Sequence, residues 1–546
     1  MALPGKGITH RPMVTGRRGM VASAHPLASL AGLRILMQGG NAVDAAVATA
    51  AALNVTEAYM SGIGGVGYMI IYSARKQEMK VLDYIGLTPR AAQLKLFDTP
   101  AKHSMGALTP LVPGACGGWL EALSRYGRLK PIDVFAPAIE YAEQGYPFTV
   151  KNHEFYRSSV PRLTPFPASV ATYLPDGRAP LPGEVLVQKD LAATFRKVAE
   201  KGPEVFYRGE IADAIVRCCE RNGGLITKAD LEGFRTQWLD PISTTYRGYE
   251  VFCPPPPCEG IQYLETLNIL EGHDLAALGH NSAESLHLFI EAGKLAQVDR
   301  AEYSAIPNPP TKALLSKNYA AQRRRLIGER AMVTGGERYT PLSKKLPGEV
   351  LPGDVAALLK ECTTHFDAVD AEGNAVAVTQ SLGGGFGSGM VVDGTGIALN
   401  NFINWFDREP ESPNAIGPSK KIEMCLSPAQ IWKDGKLFCV IGTPGSYGIM
   451  FTTPQMMMNL IDHGMNVQAA IEAPRVKATS PGRLVDIEAR IPEDVRQALQ
   501  ARGHELHVIP DWSALVGGGQ GIMVDQATGA LGGGADPRRD GYAMGW

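Results

Sequence analysis

Apolar residues recur at helical spacing from position 23 to 54, broken once by Gly39-Gly40, so the pattern predicts two helices. Pro26 suits the first helical position after Ser23 or Ala24, and the glycine pair supplies the stop. Asn41 is placed to cap the second helix, with Asp44 near its positive end. That segment carries small alanines on several faces, which suits close packing against another element. Gly62 to Gly67 then reads as a turn before the strand-like run Tyr68 to Tyr72. From about 120 to 360, helical patterns alternate with proline-rich connections, notably 161–186 and 303–312. Lys344 to Asp354 (KKLPGEVLPGD) has the composition of an exposed linker. Beyond it, Thr363 to Val369 reads as a strand, Asp370 to Asn374 as a turn, and Ala375 to Ser381 as the returning strand. Further strands are expected at 396–400, 437–441 and 521–524, and Thr453-Pro454 is read as the capped start of a helix. The mixture is α/β with strands concentrated in the C-terminal third.

A chain of 546 residues can bury a sizeable core, and length alone suggests three or four domains. Its formal charge of −2, with no like-charge block, lacks the basic stripe of a nucleic-acid binder. The 61 glycines and 39 prolines sit in a chain that is 45% hydrophobic, which points to many tight turns rather than disorder. No apolar run approaches the roughly 18–20 residues of a membrane helix. The first residues carry charge without an apolar stretch, so a cytoplasmic protein with no membrane association is expected. Eight scattered cysteines form no CxxC, and the expectation is buried, reduced thiols. Pro254 to Pro257 should act as a stiff rod holding Cys253 and Cys258 apart.

Most motif strings fail on context. Gly62-x-Gly64-x-x-Gly67 matches the dinucleotide fingerprint, but here the helix comes before the glycines and the strand after, the reverse of what a pyrophosphate site needs. Ser73 to Lys76 spells SxxK without a following KTG and falls where two strands should turn. The serine-hydrolase elbow, the HExxH zinc motif and the Walker pattern are absent. His504 and His507 lack a third ligand nearby in sequence and read as solvent-facing strand residues, so neither metal nor cofactor is expected. Gly383 to Gly389, taken alone, is a mobile loop.

Beside a strand that begins Thr-Thr-His, that loop is more specific. The stretches 19–48, MSGIGGVGYM (60–69), 363–389, GIALNN (396–401), GTPGS (442–446) and GGADPRRDG (533–541) together resemble the γ-glutamyltransferase family of N-terminal-nucleophile hydrolases. The resemblance implies a four-layer αββα sandwich with two antiparallel sheets between helices. It implies a precursor that cuts itself between Cys362 and Thr363, the Thr363 hydroxyl attacking the Cys362 carbonyl to give an ester that water resolves. The products would be a large subunit, 1–362, and a small subunit, 363–546, intertwined as a heterodimer that could itself pair into a homodimer. A freed α-amino group titrates near about 7.7–8.0, so Thr363 would carry nucleophile and base on one residue. Ser381 matches a second hydroxyl residue beside the nucleophile, usually threonine. Gly445 and Ser446 match the pair whose N–H groups hold the oxyanion.

The departures concern the acyl group. Ile85 stands at the position of the arginine that clamps the glutamyl carboxylate, and Gly383 at that of an asparagine. Phe402 and Trp405 replace Gln and Asp, and Met424 and Cys425 replace paired serines. A zwitterionic head placed there would lose its partners. The expectation is a self-processing amidase acting on a small-molecule amide with a less polar, non-glutamyl acyl group. A genuine γ-glutamyltransferase using substitute residues, and an unprocessed non-catalytic homologue, remain the alternatives.

Overall fold

Residues 9–335, 361–480 and 482–546 are described by a computed structural model; the linker expected at 344–354 lies outside them. The two expected helices run Pro26–Met37 and Ala42–Thr56. His25 caps the first, its Nδ1 accepting the Leu27 N–H at 3.2 Å. At the second, Asn41 Oδ1 accepts from Val43 and Asp44 N–H, and the Asp44 carboxylate accepts the Asn41 N–H in return. Every residue of Ala42–Thr56 is buried, which explains an alanine surface on all sides.

Each of the two large sheets has seven strands. The first runs, in order, Tyr542–Gly545, Gly19–Ser23, Glu361–Asp370, Ala375–Gly384, Val66–Ser73, Glu78–Asp83 and Gln237–Leu239. The second runs Val14–Gly16, Leu531–Ala535, Gln520–Val524, Lys436–Gly442, Ala429–Lys433, Tyr249–Cys253 and Ile242–Tyr246. Pairing is antiparallel throughout both. Alternation along a strand sorts its residues: Val21 joins the cluster beneath Pro26–Met37 and Ala42–Thr56, whereas Met20 and Ala22 join the one shared with the second sheet. Ile261–Leu270, Ala283–Tyr303 and Ile449–Ile461 cover the far side of that second cluster. The order helix, sheet, sheet, helix is the αββα sandwich.

Four expectations change. Strands from both ends of the chain interleave in each sheet, so three or four separate domains do not hold, although most of the described strands do fall in the C-terminal third. The helix expected to start at Thr453-Pro454 begins instead at Ile449; Pro454 sits inside it, where a missing N–H costs one ladder bond without ending a helix that is buried from Ile449 to Leu460. Pro254 to Pro257 forms a turn closed by the Cys258 N–H on Pro255 O at 3.1 Å, not a rod. The loop 383–389 is buried and pinned rather than mobile, with Phe386 packed edge-on against Tyr156 at 4.8 Å. Among the described residues, no helix is long and apolar enough to cross a membrane.

Candidate active site

Glu361–Asp370 is central in the first sheet, and its pairing with Ala375–Gly384 is irregular at one place. Cys362 lies opposite Gly383 and Thr364 opposite Gln380, so Ser381 and Leu382 together face Thr363. This bulge re-aims the chain at the residue expected to become a terminus. Thr363 is buried, and its carbonyl accepts from Arg539 Nη1 at 3.0 Å. The next side chain, Thr364, donates from Oγ1 to Glu57 Oε2 at 3.2 Å. Burial pushes the Glu57 carboxyl up to about 7, against the opposing pull of Arg539 and with added repulsion from Asp540. Glu57 and Arg539 thus grip the two residues at and after the bulge, one by side chain and one by carbonyl.

Ser381 Oγ accepts the Gly383 N–H at 2.8 Å, which turns the strand end toward the glycines. Gly383 adopts φ +103°, and a Cβ there would fall 2.1 Å from Asn401 Oδ1. Asn401 fills that space itself: Oδ1 accepts the Gly384 N–H at 2.7 Å and Nδ2 donates to Ser104 O at 2.8 Å. Arg162 Nη1 donates to Gly387 O at 2.7 Å and to Ser104 O at 3.1 Å, so an amide and a guanidinium stand beside a wall expected to be apolar.

Lys436–Gly442 leads into the second glycine turn. Thr443 Oγ1 donates to Pro444 O at 2.8 Å and accepts the Gly518 N–H at 3.0 Å, which fixes the turn from both sides. Gly445 takes φ +133° and Ser446 φ +51°. Ser446–Gly448 is a single 3-10 turn that packs on the strand Glu361–Asp370 and runs into Ile449–Ile461. The first N–H groups of such a turn have no acceptor within it and are open to an anion.

The remaining site candidates, Ile85, Phe402, Trp405, Met424 and Cys425, are all buried in the cluster of the second sheet. Phe402 and Trp405 pack with ring centroids 5.1 Å apart on the short turn Phe402–Trp405. Trp405 Cζ3 comes within 3.4 Å of the Cβ position at Gly383, so the indole and the glycine are brought together. Ile85 is fixed by its backbone: its N–H donates to Asp83 at 2.8 Å, and Lys421, paired with Asp83 at 2.6 Å, donates to its carbonyl at 3.3 Å. Met424 is held at both backbone groups, by Pro257 O and the Glu259 N–H.

His504 is not solvent-facing. It is buried just before the strand Glu505–Ile509, with its Nε2 2.8 Å from His287 Nδ1 and near Glu291. His287 Nε2 turns to Gly328 O at 2.8 Å and Lys294 Nζ lies 3.0 Å from Glu291, so internal partners serve His287 and Glu291, while His504 Nδ1 has none among the described residues. His507 does reach the surface, where it meets Asp486 at 2.8 Å.

Glu57, Asn401 and Arg539 were not among the sequence candidates. Asn401 and Arg539 lay inside GIALNN and GGADPRRDG, but no local spacing ties either to Thr363.

A profile described as gamma-glutamyltranspeptidase matches residues 28–546. The chain belongs to the γ-glutamyltranspeptidase family. It is 39% identical over 543 residues to the acylase ACY 1 proenzyme of Pseudomonas sp. strain V22, covering 96% of this chain and 93% of that protein. It is 35% identical over 548 residues to the glutathione hydrolase proenzyme of Escherichia coli K12, covering 96% and 91%. Among solved structures, the cephalosporin acylase of Bacillus halodurans superposes with a TM-score of 0.89 at 36% identity, over 100% of this chain and 99% of that one. Membership makes this protein an amide-bond hydrolase or acyltransferase of the N-terminal-nucleophile kind, made as a proenzyme.

Proposed function

We propose that the protein cleaves itself between Cys362 and Thr363 and then hydrolyses the amide bond of a small acyl donor that is not γ-glutamyl. The bulge carries this reading: it sets Thr363 against Ser381 while Arg539 fixes the Thr363 carbonyl, leaving the hydroxyl and nitrogen as the reacting ends. In the mature enzyme the α-amine takes the proton of the Thr363 hydroxyl as the oxygen attacks the substrate carbonyl. The Gly445 and Ser446 N–H groups receive the developing oxyanion. The proton passes to the leaving nitrogen, the C–N bond breaks, and an ester of Thr363 remains. Water, giving its proton to the same amine, then releases the acid and restores the hydroxyl.

The acyl preference rests on the glycine wall. An asparagine side chain at 383 would collide with Asn401, and Ile85 offers no charge to a carboxylate. Ile85 and Gly383 thus offer no partner to an ammonium–carboxylate head, and the nearby Arg162 and Asn401 are already engaged with backbone groups, which disfavours such a head. The proenzyme acylase among the relatives agrees with this choice. The test is a panel of acyl-p-nitroanilides alongside γ-glutamyl-p-nitroanilide. The reading expects a simple acyl amide to exceed the γ-glutamyl one in kcat/KM by at least about tenfold, about 1.4 kcal/mol of preference. Equal or better turnover of the γ-glutamyl compound would overturn it.

A further inference from the structure

Ser446 bears two costs that its backbone role does not explain. Its φ of +51° belongs to the left-handed region, which glycine occupies freely and serine only under strain. Its hydroxyl is fully buried and has no hydrogen-bond partner among the described residues. A buried, unsatisfied hydroxyl is unfavourable, and so is the strain, yet both fall on one residue of the turn that packs against the Thr363 strand. The adjacent hydroxyl cannot share the task, because Thr443 Oγ1 is occupied by Pro444 O and the Gly518 N–H.

We infer that the Ser446 hydroxyl is a third donor to the oxyanion, acting beside the Gly445 and Ser446 N–H groups. The inference rests on the proposed amidase reading and deepens it. The side-chain oxygen and backbone nitrogen of one serine lie close enough to donate to a single acceptor, and a hydroxyl rotates to meet it. In the resting protein the donor has no partner among the described residues. When Thr363 Oγ attacks, negative charge forms on the former carbonyl oxygen and the buried hydroxyl gains the acceptor it lacks. Such an interaction strengthens from ground state to transition state, so it acts on kcat. No proton is transferred in the step; the hydroxyl only donates a hydrogen bond. Backbone donors alone leave this position indifferent to side chain, whereas the third donor makes serine the preferred residue.

The test compares Ser446→Gly and Ser446→Ala with the wild type, using the best p-nitroanilide of the panel. Rates are expressed per mole of free Thr363 amino terminus, measured by N-terminal sequencing. Glycine removes the hydroxyl and the strain together, so its melting temperature should be unchanged or higher; alanine removes the hydroxyl and keeps the strain. Both variants are expected to mature, to lose about 10- to 1,000-fold in kcat, and to keep KM within about threefold. A kcat within threefold of wild type in either variant overturns the inference. A loss that follows melting temperature rather than kcat overturns it too, as a structural hydroxyl would behave that way. Failure of both variants to mature also counts against it, assigning the hydroxyl to self-cleavage instead. If the wild type itself is never cleaved or turns over no amide, the functional reading is what fails.

Discussion

The hairpin that carries Thr363 and the buried residues proposed to line the acyl side, Gly383, Phe402, Trp405, Met424 and Cys425, come together where Trp405 approaches Gly383, but they are built on different terms. Around Thr363 the decisive contacts use backbone groups: the Thr363 carbonyl, the Gly383 N–H and the N–H end of the Gly445–Ser446 turn. Two of these groups are held by single side chains, Arg539 on the Thr363 carbonyl and Ser381 on the Gly383 N–H. At Gly383 the space that a side chain would need is occupied by Asn401, which comes from a different segment. The reacting residue is therefore held at backbone groups by a few fixed side chains, while the residues around Gly383 are held by packing. The family includes both acylases and glutathione hydrolases at similar identity to this chain.

That contrast breaks first at the nucleophile. Thr363→Ala should remain one intact chain on a denaturing gel beside a cleaved wild type, with activity down by more than about 10³-fold. The same substitution tests the division into 1–362 and 363–546. Next comes the wall. Gly383→Asn forces a side chain at φ +103° onto Asn401 Oδ1, and should cost about 2–4 kcal/mol in urea unfolding without creating γ-glutamyl activity. Adding Asn401→Gly should recover part of that loss, a coupling that two independent sites would not show.

Ser381 sharpens the comparison at the boundary. Ser381→Ala leaves the Gly383 N–H buried without its acceptor and should cost about 1–3 kcal/mol with a fall in kcat, whereas Ser381→Thr should retain both stability and rate. The smallest effect belongs to Glu57. Its folded carboxyl holds a proton up to about pH 7, well above the usual carboxylate range. The folded state thus binds that proton more tightly than the unfolded chain does, so this contribution to stability is complete below about pH 4.5 and is lost as pH rises to about 7. Glu57→Gln cannot ionise. Melting curves from pH 5 to 8 should show the variant gaining on the wild type as pH rises, with Arg539, Asp540, Thr364 and Tyr59 facing the group unchanged.

What could be read in the chain follows the same division. The helix pair 26–37 and 42–56 was legible because stop and cap, Gly39-Gly40 and Asn41, are local signals. The hairpin was legible because its turn, Asp370 to Asn374, lies between two apolar runs. The start of Ile449–Ile461 was misread because Pro454 looks like a first helical residue, whereas the buried run Ile449 to Leu460 carries it inside. Glu57 and Arg539 could not be found, since they reach the bulge across 307 and 176 residues and no periodicity spans such gaps. The pinning of the glycine loop by Arg162 was hidden for the same reason.

The most direct test is the intact mass and N-terminal sequence of active wild-type protein. The account predicts two polypeptides, one of them beginning Thr363-Thr364-His365, in amounts that track amidase activity across preparations. Full activity in a chain still continuous through residues 362 and 363 would contradict it.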